Sequence, residues 1–272
     1  MESAAEGGDM GTSIRWRGPR GAGWTTFRRS IGQLGGTAGM ARTPEEIPNP
    51  RQGDGPISQR GVRTRGQRFF DALEEELRAD PEAFGLRDTM RAGASRLVRA
   101  MNELRHDLAA FGPPPAEWTG SDTEWFMSEF VTAVAGERTG IIDAFVRRSA
   151  TRCAEELLND PRVRRAVAGQ TRSSSLAMDL FCSVYRLFFA DIVTEFAKAA
   201  VAEQVKLALP GLVLIDPGGQ IPAWVGEQVA SWIPNPCEQG KDDSDRSVAD
   251  LAADLVGDNV DRALGLTSGT ET

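Results

Sequence analysis

The chain has 272 residues and a formal net charge of −8, with three cysteines, one histidine and a marked excess of arginine over lysine. Charge is unevenly spread: residues 1–70 hold 14 of the 29 glycines and carry +5, which leaves the rest at −13. Cys153, Cys182, Cys237 and His106 are too scattered for a zinc-ligand or two-histidine metal spacing, so neither a metal nor another cofactor is expected. Neither a Gly-x-Ser-x-Gly elbow nor a GxxxxGK[ST] phosphate loop occurs, which excludes the common serine-hydrolase and P-loop classes. Arginine enrichment over lysine is what a GC-rich genome produces without functional pressure, so it is not by itself an argument for nucleic-acid binding.

In chain order, residues 1–62 have the composition of a flexible tail. Gly-Gly pairs and Pro44, Pro48, Pro50 and Pro56 interrupt any element, and apolar periodicity is almost absent. One exception lies at residues 24–34, where Trp24, Phe27, Ile31 and Leu34 recur at helical spacing. From Arg63 onward the pattern predicts an all-α core domain over 63–236. Phe69, Phe70, Leu73 and Leu77 form a first apolar stripe, and Met90, Ala94, Leu97, Val98, Met101, Leu104 and Leu108 form a second. Ser121 followed by Glu124 is a capping-box signature for a third helix, residues 141–158 predict a fourth, and 163–167 a short fifth.

Residues 174–209 predict one long helix, around which the others are expected to pack. Asp179, Arg186, Asp191, Glu195, Lys198 and Glu203 interrupt its apolar character, and a spanning helix needs about 20 mostly apolar residues, so no membrane role is expected. Residues 212–215 are the best candidate for a strand-like piece, and 222–233 predict a further helix bearing Trp224, Val225, Val229 and Trp232. A linker at 237–246 precedes an acidic amphipathic helix over 247–266, expected either to pack back on the domain or to dock a basic groove. With no apolar signal region and three separated cysteines, the expected setting is the cytoplasm and the thiols are expected to be unpaired.

Arg99 and His106 stand seven positions apart on the second stripe, about two turns, so both can share a face. The pair resembles the Arg-x(4–6)-His signature of HEPN-type ribonucleases, in which such residues from two subunits act on the RNA 2′-hydroxyl and scissile phosphate. The usual polar residue after the arginine is here Ala100. A solvated helix face is the simpler reading, and a HEPN-like ribonuclease toxin is the enzymatic alternative. A nucleic-acid-binding scaffold that uses the Arg-rich tail is the other.

The most specific stretch lies in the tail. Met10-Gly11-Thr12-Ser13 is followed by Gly18-Pro19, Gly21, Gly23-Trp24, Arg28-Arg29 and Gly35-Gly36. Residues 10–36 resemble the start of QatB-like proteins, accessory components of Qat-type anti-phage defence operons. The resemblance implies a non-enzymatic accessory protein whose N-terminal glycine segment is docked or covalently modified by a QueC-like enzyme, alongside an ATPase and a TatD-like nuclease. It makes Gly11, Thr12, Ser13, Gly18, Pro19 and Trp24 the candidate docking or modification residues. The chemistry is coherent: glycine admits its backbone to a narrow site, and an α-amine with a reference pKa of about 7.7–8.0 is partly neutral and nucleophilic. Because methionine removal favours a small following residue, a free amine on Gly11 is expected from a start at Met10, whereas Met1-Glu2 would keep its methionine.

Overall fold

A computed structural model describes residues 21–32, 59–171, 175–207, 219–239 and 246–266. Among these residues the secondary structure is helical, without a strand, in agreement with the all-α reading. The candidate strand at 212–215 lies outside the described residues. The elements are α1 (Ala22–Gly32), α2 (Gln59–Ala79), α3 (Leu86–His106), α4 (Asp122–Ala135), α5 (Ile141–Asn159), α6 (Pro161–Val167), α7 (Met178–Leu207), α8 (Gln220–Trp232), α9 (Pro236–Gln239), α10 (Val248–Asp254) and α11 (Val256–Ala263), with a 3₁₀ turn at Ala83–Gly85.

Helix α7 packs against α3, α5, α8, α9 and α11. Every residue from 188 to 197 is buried, as in a helix that is apolar on all sides. That run includes Asp191 and Glu195, so α7 can hold its place only if its carboxylates find partners inside the fold.

Helices α2 and α8 come unusually close. A Cβ built on Gly66 would lie 2.0 Å from the Trp224 ring, and Phe70 sits against both Trp224 and Trp232, with ring centroids 6.4 and 4.6 Å away. Only glycine fits at that crossing. Gly66→Val is expected to cost about 1–3 kcal/mol by forcing the helices apart, which chemical denaturation would show as a lower midpoint at unchanged slope.

Two local signals in the sequence translate directly into geometry. At the start of α4 the Glu124 backbone N–H donates to Ser121 Oγ at 3.2 Å, and the Ser121 N–H donates to the Glu124 carboxylate at 2.7 Å, closing the capping box. The backbone and side-chain hydrogen bonds from Ser121 hold the Glu124 carboxyl below the usual glutamate range. Asp160 caps α6 through the Arg162 N–H at 2.7 Å, with Pro161 at the first helical position.

The acidic C-terminal pattern forms two helices, broken at Leu255, and both pack back on the body. The buried Tyr185 hydroxyl donates to the Ala252 carbonyl at 3.1 Å and accepts from Asn259 Nδ2 at 2.8 Å. Burial pushes the Tyr185 phenol up. Arg87 of α3 grips Asp261 with two bonds, of 2.8 and 2.7 Å. Asp250, Asp254 and Asp258 face outward as their spacing predicts, but Asp261 is half-buried and paired and Asn259 is fully buried.

Candidate functional site

The N-terminal motif meets the body at α1. Trp24 and Phe27 are both 0% exposed. The Trp24 ring makes edge contacts with Phe27, Phe69 and Phe196 at centroid distances of 5.7, 5.8 and 6.3 Å. Trp24 therefore belongs to the core, which corrects its expected place among residues open to a docking partner: an indole enclosed by three rings presents nothing to a second protein. Gly11, Thr12, Ser13, Gly18 and Pro19 lie outside the described residues.

The glycines before Trp24 have a packing role of their own. A Cβ on Gly23 would stand 3.0 Å from the Ala72 backbone and 2.4 Å from a Glu75 carboxylate oxygen, and one on Gly21 would stand 2.5 Å from a Glu76 carboxylate oxygen. Helix α1 has no acidic residue in its own first turn. Glu75 and Glu76 bring negative charge from α2 to the positive end of the α1 dipole. The chain thus enters the body at a fixed acidic point on α2.

Arg99 and His106 are both exposed on α3, and Ala100 between them is buried. His106 is the last helical residue, followed by Asp107 at the C-cap. Arg96, one turn before Arg99, donates to the Val134 and Ala135 carbonyls at 2.7 and 2.8 Å, closing the end of α4. Burial pulls Arg96 below the usual arginine range, and the neighbouring guanidinia of Arg138 and Arg99 act in the same direction, against Asp143. Arg99 and Arg138 thus lie near Arg96, together with the acidic Asp143. Arg105 is turned toward the Phe181 ring, with its guanidinium carbon 6.0 Å from the centroid.

A polar seam that no sequence motif marks lies between α5 and α7. Asp191, 3% exposed, accepts from Ser149 Oγ at 2.8 Å and from Arg152. One turn along, Glu195 accepts from Arg148 at 2.9 Å and from Lys198 at 2.6 Å. Burial alone would raise the Glu195 carboxyl, but the Lys198 and Arg148 hydrogen bonds outweigh it and hold the group below the usual glutamate range. Its signal was present in the sequence, since Asp191, Glu195 and Lys198 recur at helical spacing within a long apolar helix. Cys153 is fully buried in this region, and burial pushes its thiol well up, so it is a packing residue without nucleophilic character.

The Glu195 pairing has a pH consequence. A lowered folded-state pKa stabilises above the ordinary glutamate value of about 4.3, and the contribution disappears as pH falls through the lowered value. Glu195→Gln is thus expected to be less stable than the natural chain near neutral pH, with the gap closing in acid. Urea unfolding in steps from about pH 7 to about pH 3 checks this, and a gap that stays constant contradicts it.

Cys182 and Cys237 form a disulfide between α7 and α9, which corrects the expectation of unpaired thiols. Three widely spaced cysteines carry no pairing information, and the proximity of these two arises only when α8 folds back along α7. The bond borders a cavity of about 310 Å³ lined by Asp179, Ser183, Arg186, Asn235 and Glu238. A separate groove of about 830 Å³ lies between α2 and α8, with Arg60, Arg63, Trp224 and Glu227 on its walls. Among the described residues no group of three metal-ligating side chains converges, and no helix is long and apolar enough to cross a membrane.

Comparison with protein-family models, with curated proteins and with solved structures found no match to this chain.

Proposed function

We propose that this chain is a non-enzymatic helical adaptor of a prokaryotic anti-phage defence system, with an N-terminal glycine segment that a QueC-like partner docks or modifies. The observation that carries the reading is the anchoring of α1. Trp24 and Phe27 are locked into the core directly after the motif, so Gly11 is ten residues from a fixed point at Gly21. Ten residues of chain span at most about 35 Å, enough to enter a partner's active site. The helical body supplies the surfaces for the ATPase and the TatD-like nuclease of the same operon, and the expected compartment is the cytoplasm.

Removing residues 1–20 tests this. The truncated chain is expected to melt at the same temperature as the full chain and to lose association with the QueC-like enzyme in co-purification. Association that survives the deletion contradicts the proposal.

One observation favours a second reading, a HEPN-like ribonuclease: Arg99 and His106 are both exposed on one helix. It predicts that His106→Ala abolishes RNA cleavage or toxicity. Unchanged cleavage or toxicity in that variant ends this reading.

A further inference from the structure

We infer that Cys182–Cys237 is a thiol–disulfide exchange site: a dithiol reductant opens it by attack on Cys237, freeing α9 from α7 while the rest of the helical body stays folded. The two sulfurs are not equivalent. Cys182 lies on α7 and is 2% exposed, whereas Cys237 lies on the four-residue α9 and is only half-buried beside the open cavity. An incoming thiolate therefore meets the Cys237 sulfur first.

The surroundings also favour Cys182 as the leaving group. Arg186 is one turn further along α7, on the same face, and lines the same cavity. Its Nη2 donates to the Ala230 carbonyl, and its Nε is buried without an acceptor among the described residues. A guanidinium with an unused donor on the wall of the same cavity favours the thiolate that departs from Cys182, and exchange is faster when the leaving thiol is more acidic. Asp179 and Glu238 are the opposing charges on the cavity wall.

The exchange balances as follows. The reductant's thiolate forms a bond to Cys237 Sγ, and the electron pair of the Cys182–Cys237 bond leaves on Cys182 Sγ, which takes a proton from water. The reductant's second thiolate then attacks its own sulfur in the mixed disulfide and releases Cys237 as a thiol. Overall the dithiol is oxidised to its disulfide, and the protein gains two electrons and two protons.

Opening this bond leaves the neighbouring helices held by other means. Helix α8 is fixed to α2 at the Gly66–Trp224 crossing, α10 and α11 are tied to α7 through Tyr185 and Asn259, and α11 is tied to α3 through Arg87 and Asp261. What loses its covalent tie to α7 is the short α9 segment between α8 and the C-terminal helices, which keeps only its packing against α7 and α10.

The experiment is differential alkylation of the full chain with iodoacetamide, in native buffer, before and after dithiothreitol, with glutathione as a monothiol probe in a separate arm. Before reduction none of the three cysteines is expected to react. After reduction Cys182 and Cys237 each gain one label and Cys153 none; glutathione forms its adduct on Cys237, and hydrogen exchange rises over residues 234–239 while α10 and α11 keep their protection. Arg186→Gln is expected to slow the reduction several-fold. The Cys182→Ser/Cys237→Ser double variant should stay folded, with the exchange pattern of the reduced chain. The inference is overturned by free Cys182 and Cys237 thiols in the unreduced chain, by resistance to dithiothreitol without denaturant, by a glutathione adduct on Cys182, or by labelling of Cys153 together with the pair. Unfolding of the double variant overturns it as well, since it would make the bond a structural staple.

Discussion

Trp24→Ala is expected to lower the stability of the chain by about 3–5 kcal/mol, the range for removing a fully enclosed large aromatic side chain from a core. The side chain is enclosed by Phe27, Phe69 and Phe196, which belong to α1, α2 and α7, so the cavity would open where three elements meet. Its indole N–H finds no acceptor among the described residues, so the ring's contribution comes from apolar contact, with no hydrogen bond to replace. Arg29→Ala, an exposed change on the same helix, is expected to stay within about 0.5 kcal/mol of the natural chain. Guanidinium titration followed by fluorescence measures both. A Trp24→Ala variant that kept its stability and lost only a binding partner would restore tryptophan to the docking role that the sequence assigned to it.

The second large effect is expected at the α5–α7 seam. Arg152→Leu leaves the Asp191 carboxylate almost fully buried with only Ser149 as a partner, and removal of one member of a buried pair is costly. The arginine side chain is about half exposed, which screens the pair, so the expected loss is about 2–3 kcal/mol, below the range for fully buried pairs. Arg152→Leu with Asp191→Asn keeps an acceptor for Ser149 and removes both charges. That double variant is expected to come within about 1 kcal/mol of the natural chain. Single and double variants together form a thermodynamic cycle, and additive losses would show that Arg152 and Asp191 do not act as a pair.

How legible this protein is from its sequence differs from element to element. The helical class, the Ser121–Glu124 capping box, the spacing of Trp24 and Phe27 and the amphipathic C-terminal pattern were all local, because each depends on residues within two turns of one another. What the sequence could not convey is which faces meet. Trp24 is a candidate docking residue only through the resemblance of residues 10–36 to QatB-like proteins, which carries no information on what the indole packs against. The glycines at 21 and 23 let α1 approach Glu75, Glu76 and Ala72 closely enough for the indole to reach the core. Asp191 and Glu195 appeared only as charges that broke an apolar run, since their partners Ser149, Arg152 and Arg148 lie about 40 positions earlier in the chain. Likewise the Cys182–Cys237 bond spans 55 positions, and only the return of α8 along α7 brings its ends together.

The central claim concerns Gly11, and intact mass spectrometry of the protein expressed from its native locus addresses it most directly. The account predicts a chain beginning at Gly11 that carries a nucleobase-sized adduct when the neighbouring QueC-like gene is intact and loses that adduct when the gene is deleted. An unmodified chain beginning at Met1, with both genes present, would contradict it.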